Sequence, residues 1–184
     1  RGIDGSKIDV VLNGVDLDRY QPIQQKDAEL AAQFQLENKF VIGYLGTHGM
    51  AHALDKVAMA AEQLQHRDDI VFLFAGGGAG REQLAEIVQE KGLNNVLMLE
   101  RQPKEMMPRF WSLCDISLIP LKDSPLFTTV IPSKLFESMG MGLPVLMSVP
   151  QGEATDIVRQ TGCGIVIEPE NSELLAKKIG RAHV

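Results

Sequence analysis

Residues able to do chemistry concentrate in one run of the 184-residue chain, Thr128-Thr129-Val130-Ile131-Pro132-Ser133-Lys134-Leu135-Phe136-Glu137. The run continues through Ser138-Met139-Gly140-Met141-Gly142-Leu143-Pro144-Val145 and reads as a loop, a helix, a tight turn and a buried strand. Pro132 suits the first helical position, where its fixed φ fits and its missing N–H is not needed. The backbone N–H groups of Ser133 and Lys134 are then orphan donors at the helix end. A hydroxyl and an ammonium join them at the positive end of the helix dipole, which makes an anion site suited to phosphate. One turn on, Glu137 offers an acceptor-only carboxylate able to hold a pair of ribose hydroxyls. Phosphate donors followed by a carboxylate at this spacing would grip a nucleoside diphosphate. The same residues also suit an ordinary amphipathic helix with a solvated Lys and Glu.

The elements that must position this run alternate along the chain. Ile8-Asp9-Val10-Val11-Leu12 is a strand-like run closed by the turn pair Asn13-Gly14, and Val15 to Pro22 reads as a connector. Asp16-Leu17-Asp18 has the Asp-x-Asp form of a metal ligand, but its place after a turn makes it a solvated linker. Phe40-Val41-Ile42-Gly43-Tyr44-Leu45 is a continuous apolar run, as in a strand covered on both faces. After Gly46-Thr47-His48-Gly49, the residues Leu54, Val57, Ala58, Ala61 and Leu64 fall at helical spacing, to about His66. The alternation repeats with a strand over 70–75, the loop Gly76-Gly77-Gly78 and a helix over 81–91, with Gly92 suited to its end. A strand over 95–99, a short helix through Met106, Met107, Phe110 and Trp111, and a strand over 115–121 follow. Beyond a loop rich in Ser, Pro and Thr come the key helix, a strand over 143–148, a helix over 153–160, a strand over 163–167 and a helix opened by Asn171. The pattern predicts an α/β fold: a doubly wound, mainly parallel six-stranded Rossmann-like sheet with helices on both faces. Ligands of such sheets bind at the carboxyl ends of the strands, at the switch point.

Composition narrows the function classes. With 45% hydrophobic and 23% charged residues the chain is an ordinary globular protein, long enough for one well-packed domain with appendages. A net charge of -6 and the lack of a basic run argue against a nucleic-acid partner. Cys114 and Cys163 are too few and too far apart for a metal framework, and as small thiols beside apolar runs they suit a reducing cytoplasm. No metal site is expected. No run approaches a membrane span or a signal peptide, and the ends of the chain give the expectation of a piece cut from something longer.

Two further loops face the expected ligand edge. In Gly46-Thr47-His48-Gly49, glycine lets backbone approach a ligand while Thr47 and His48 add a hydroxyl and an imidazole. In Glu100-Arg101-Gln102-Pro103, Arg101 could meet phosphate or base. Each has a plainer alternative: His48 as a helix cap or a solvated side chain, Arg101 as a surface cation, the three glycines as a tight turn, and the Met and aromatic cluster as core. A dinucleotide fold would show Gly-x-Gly-x-x-Gly after the first strand and an acid ending the second; neither is present, nor is a P-loop.

Leu135-Phe136-Glu137-Ser138-Met139-Gly140-Met141-Gly142-Leu143-Pro144-Val145 closely resembles the "LEAMACGTPVV" signature of family-4 retaining glycosyltransferases of the GT-B fold. Val11 to Asp16 resembles that family's "IPNGVD" at the crossing between its two Rossmann-like domains, and Arg101 to Asp115 resembles the region before its fourth strand. Pro132 to Glu137 looks like a subgroup that builds bacterial surface polysaccharides, including fucosamine-type transferases. The resemblance implies that 1–22 is an interdomain connector ending an N-terminal domain that lies outside the chain. It implies that 23–184 is the nucleotide-sugar-binding domain, cut short at its carboxyl end.

By the same resemblance Glu137 would hold the donor ribose, and the backbone of Val130, Ile131, Pro132 and Ser133, with Lys134, the diphosphate. Gly46 and its neighbours would face the donor phosphates and sugar, and the Arg101 loop would border the base. Two positions depart from the family. Its Glu-x7-Glu motif has its first glutamate where Thr129 stands, and the common Arg and Lys after the first strand fall on Tyr44 and near His48. Lys134, the helix end and His48 are therefore expected to neutralise the diphosphate. The donor, UDP- or GDP-linked, is a substrate rather than a cofactor, and none of the latter is expected. The acceptor, saccharide or lipid-linked, would sit on the absent domain, which would also carry any membrane contact, at the inner face. A nucleotide-binding regulatory module without catalysis and a GT-B nucleotide-sugar epimerase are the alternatives.

Overall fold

The computed structural model describes residues 2–9, 11 and 13–182. Its strands are β1 (Phe40–Leu45), β2 (Ile70–Ala75), β3 (Val96–Leu99), β4 (Ile116–Pro120), β5 (Val145–Ser148) and β6 (Gly164–Ile167). They form one sheet in the order β3-β2-β1-β4-β5-β6, with every neighbouring pair parallel. The chain lays strands outward from β1 to one edge, returns to the other side of β1 and lays strands outward again. The switch point lies between β1 and β4. The doubly wound six-stranded sheet expected from the apolar runs is therefore the observed one, its strands beginning up to two residues later than the runs suggest.

The helices are α1 (Ala28–Phe34), α2 (Leu54–Gln63), α3 (Arg81–Glu90), α4 (Met107–Trp111), α5 (Ser133–Gly140), α6 (Glu153–Thr161) and α7 (Ser172–Ala182). Strand side chains alternate between faces, which assigns each helix to a layer. Ile42, Tyr44, Phe72, Phe74 and Leu118 pack with Val57, Ala61, Leu84, Leu175 and Ile179 of α2, α3 and α7. On the other face, Val41, Leu45 and Leu73 meet Leu30, Phe110 and Trp111 of α1 and α4. Ile119, Val145 and Met147 meet Leu135 and Val158 of α5 and α6 there. Trp111, Phe110 and the half-buried Met106 and Met107 are core, as their spacing suggests. Among the described residues no helix is long and apolar enough to cross a membrane.

Helix α1 has only one turn of apolar pattern and was not legible in the sequence. It is set by Asp27, whose carboxylate caps the Leu30 N–H at 3.0 Å and takes the Arg109 guanidinium of α4 at 2.6 Å. The Arg109 bond holds the Asp27 carboxyl down at about 2. The strand expected over 8–12 is not seen where it can be judged. Ile8, Asp9 and Val11 are exposed and outside any strand, while Val10 and Leu12 lie outside the described residues. Asp16 caps its own turn, accepting from the Asp18 and Arg19 N–H groups, as a linker carboxylate should.

The loops after β1 and β2 touch through backbone. Gly76 has φ +154°, and a Cβ there would stand 1.8 Å from the Gly46 carbonyl oxygen. Gly77, its neighbour, has nothing within 4 Å of the same construction. Gly76→Ala is expected to lower stability by at least about 3 kcal/mol through strain and overpacking. Gly77→Ala should stay within about 0.5 kcal/mol of wild type. Urea unfolding of the pair checks both, and equal midpoints would contradict the packing described.

Candidate functional site

Helix α5 starts one residue later than its sequence suggests. Pro132 is extended (φ -66°, ψ 132°) and occupies the cap position, so Ser133 and Lys134 are the first two helical residues. The physical reason is that the first intrahelical acceptor is the Pro132 carbonyl, which takes the Leu135 N–H at 3.0 Å. The donor geometry survives the shift, since the Ser133 and Lys134 amides still precede the first intrahelical partner. Before the cap, Pro125–Thr129 forms a short 3-10 turn, and Thr129, Val130 and Ser133 are exposed while Ile131 and Pro132 are half-buried. Asn13 donates to the Ile131 carbonyl at 3.1 Å, tying the connector to this loop.

Lys134 does not point to solvent. The residue is 8% exposed, and its Nζ has no hydrogen-bond partner among the described residues. It stands 3.8 Å from the centroid of the Tyr44 ring. A Cβ on Gly46, which has φ +135°, would come within 3.6 Å of Lys134 Cε. Lys134 belongs to a helix on one face, whereas Tyr44 belongs to the core of the other. Its stem therefore passes over the carboxyl ends of β1 and β4, at the switch point. Burial lowers the Lys134 ammonium to about 7, against a smaller upward pull from Glu137.

Glu137, one turn on, is half-buried, and its Oε2 accepts the indole N–H of Trp111 at 3.3 Å. Trp111 is fully buried at the end of α4, so its single donor fixes the orientation of the carboxylate. The remaining lone pairs of Glu137 are available to a ligand. This pairing has no local sequence signal, because 26 residues separate its partners.

His48 is not where a phosphate ligand would be. It is 0% exposed, wedged against Tyr44 and Phe74 at ring distances of 5.5 and 6.2 Å, with both ring nitrogens unpaired. Burial first, then Arg81 and Lys134, lowers its pKa to about 4, so the imidazole carries no charge at neutral pH. The cation expected there is absent, and His48 instead contributes backbone, bonded to Gly77 and Gly80. Thr47 is exposed beside Gly46, and its carbonyl accepts the Tyr44 hydroxyl at 2.5 Å. Arg101 is exposed in the loop after β3, two strands away from β1, and the neighbouring Glu100 pairs with Arg81 at 2.6 Å. The structure thus brings Gly46, Ser133, Lys134 and Glu137 together and leaves Arg101 at the margin. A hollow of about 280 Å³ lined by Gly49, His52, Gly80, Lys122 and Glu170 adjoins the β1–α2 loop, but includes neither Lys134 nor Glu137.

A Rossmann-like sheet with the amino end of α5 beside its switch point defines the class, and comparison with known proteins supplies the family. The profile described as glycosyl transferases group 1 matches residues 25–182, and the chain belongs to that family. An Escherichia coli protein proposed as a colanic acid biosynthesis glycosyl transferase, WcaI, is 26% identical over 99% of the chain and 45% of its own length. The D-inositol 3-phosphate glycosyltransferase of Nocardia farcinica is 27% identical over 97% of the chain and 40% of its own length. The chain thus spans less than half of these relatives. Among solved structures, Anabaena HepE in complex with UDP-glucose superposes with a TM-score of 0.80, at 21% identity over 99% of this chain and 49% of that one. The C-terminal domain of a Francisella tularensis group 1 glycosyl transferase, LpcC, superposes with a TM-score of 0.74, at 18% identity over 92% of this chain and 88% of that one. The fold is that of the C-terminal half of a GT-B protein.

An ammonium buried without an acceptor costs stability. Lys134→Met, which keeps the stem and removes the charge, should raise the stability of the domain by about 1–3 kcal/mol at neutral pH. The lysine is lowered on folding, so the unfolded chain binds more protons between about pH 7 and the ordinary value of 10.5. Wild-type stability therefore rises with pH through that window, and Lys134→Met should lack this component of the rise. Thermal unfolding of both proteins from pH 7 to 10 measures it, and parallel curves would disprove the assignment.

Proposed function

We propose that this chain is the donor-binding half of a retaining glycosyltransferase that moves a sugar from a nucleoside diphosphate, UDP- or GDP-linked, to a saccharide or lipid-linked acceptor. The observation that carries it is the Lys134 ammonium, buried at the switch point without a hydrogen-bond acceptor, beside the Ser133 and Lys134 amides. A polar group in that state is completed by an incoming anion. The diphosphate would lie across the amino end of α5, bordered by Gly46, Thr47 and the backbone from Thr129 to Ser133. Glu137, held by Trp111, would take the ribose hydroxyls. As the sugar leaves, negative charge develops on the diphosphate, and donors already aimed at it lower the barrier. HepE, of similar fold, is complexed with UDP-glucose, and WcaI is ascribed to colanic acid synthesis. The first supports a nucleotide-sugar donor and the second a role in polysaccharide biosynthesis, while the run from Pro132 to Glu137 is what suggests the fucosamine-transferase kind.

Residues 1–22 would be the connector to an N-terminal partner domain carrying the acceptor site. Two observations support this: the family match begins at residue 25, and Ile3, Ile8, Val11 and Leu17 are all more than half exposed. The chain alone should then bind donor nucleotide and transfer nothing.

Calorimetry with UDP, GDP and ADP tests the site. Lys134→Ala and Glu137→Ala should each weaken the preferred nucleotide by about 10- to 100-fold, the scale of a lost charge-assisted bond. Unchanged affinity in both variants would remove the donor-site reading.

A further inference from the structure

Three features of the Lys134 environment belong together. The ammonium rests on the face of Tyr44, at 3.8 Å from the ring centroid, and has no hydrogen-bond acceptor. The ring beneath it is buried, 1% exposed, with its hydroxyl bonded to the Thr47 carbonyl. His48, His52 and Phe74 surround it at centroid distances of 5.5, 5.6 and 6.0 Å.

We propose that Tyr44 is a resting platform for the Lys134 ammonium, from which that group is handed to an anionic oxygen of an arriving diphosphate. This role rests on the donor site proposed above. Tyr44 touches no reacting atom and is a positioning residue.

Two partners compete for the ammonium. A ring face attracts a desolvated cation, but leaves its three N–H donors unbonded. A phosphate oxygen offers both charge and a directed acceptor, so it outcompetes the ring once it is within reach. Until then no acceptor among the described residues bonds it. Gly46 presents no side chain, and only backbone borders Lys134 Cε on that side. His48 and His52 both stay neutral near pH 7, each lowered to about 4, chiefly by burial. Glu137 is the carboxylate whose charge Lys134 feels, and one of its oxygens is engaged by Trp111. The platform thus keeps the charge at the rim without binding it firmly. It also predicts proton uptake when diphosphate binds above about pH 7, because an anion raises the lowered lysine.

The test is NMR of the chain carrying labelled lysine, with Lys134 assigned by the resonance lost in Lys134→Arg. In the free protein the Lys134 ε-methylene protons should be shifted upfield by the ring current. The shift should persist in Tyr44→Phe and vanish in Tyr44→Leu. On saturation with UDP, or with GDP or ADP if these bind better, the wild-type shift should relax toward that of a solvated lysine. Absence of the upfield shift in the free protein overturns the platform. Its persistence with nucleotide bound overturns the hand-off and leaves the donor site standing. If no nucleotide binds, the donor site falls and the hand-off with it, whatever the free spectrum shows. Should Tyr44→Leu unfold, the wild-type spectra with and without nucleotide decide alone.

Discussion

The pairing of β1 with β4 is the constraint from which the rest of this domain follows. It consists of two residue pairs, Ile42 with Ile116 and Gly43 with Ser117, whereas β1 pairs with β2 along six. Past those pairs Tyr44, Leu45 and the end of β4 run on without matching, and the chain leaves the two strands toward opposite faces. The two loops that follow therefore diverge over the gap between the strand ends. Parallel sheets of this winding collect ligands there for the same reason. In this chain a lysine from one face crosses the gap to an aromatic ring rooted in the other.

That crossing sets stability against function. A domain selected for stability alone would place an apolar side chain at position 134, since the neighbouring core is otherwise well filled. The chain instead holds an ammonium out of water with an aromatic face as its main compensation. Buried groups left incomplete mark places where a ligand completes them. The carboxylate one turn away is treated differently, being oriented in advance by the Trp111 indole. An ammonium is thus held loosely at the amino end of α5 and a carboxylate firmly one turn on. The site is a rim, with Thr129, Val130 and Ser133 open to solvent, which suits a domain that closes against a second one.

Much of the architecture was legible because it rests on local chemistry. Runs such as Ile70–Ala75 are long, apolar and β-branched or aromatic, so both faces must be covered and the strand follows. The loop glycines and Pro132 announced turns and a helix start. Where local signals were weak, contacts distant in the chain decided the structure. Helix α1 has seven residues and depends on an ion pair with Arg109, 82 positions away. Pro132 fits the cap as well as the first turn, and hydrogen bonding to its carbonyl settled which. His48 looked like a ligand because a histidine in a glycine loop at a strand end usually faces outward; here Phe74, two strand positions before Gly76, encloses it.

The sequence by itself determined the alternation of strands and helices, the parallel winding, and the run from Thr129 to Glu137 that carries helix-end donors and a carboxylate. These depend on periodicity and on residue types close in the chain. Only the tertiary structure decided that Lys134 meets Tyr44, that Trp111 meets Glu137 and that His48 is shut away uncharged. Such contacts join residues 26 to 90 positions apart or turn on which face a loop presents. The physical reason is that burial and dielectric are properties of the packed whole, and they decide which of several chemically capable side chains is poised to act.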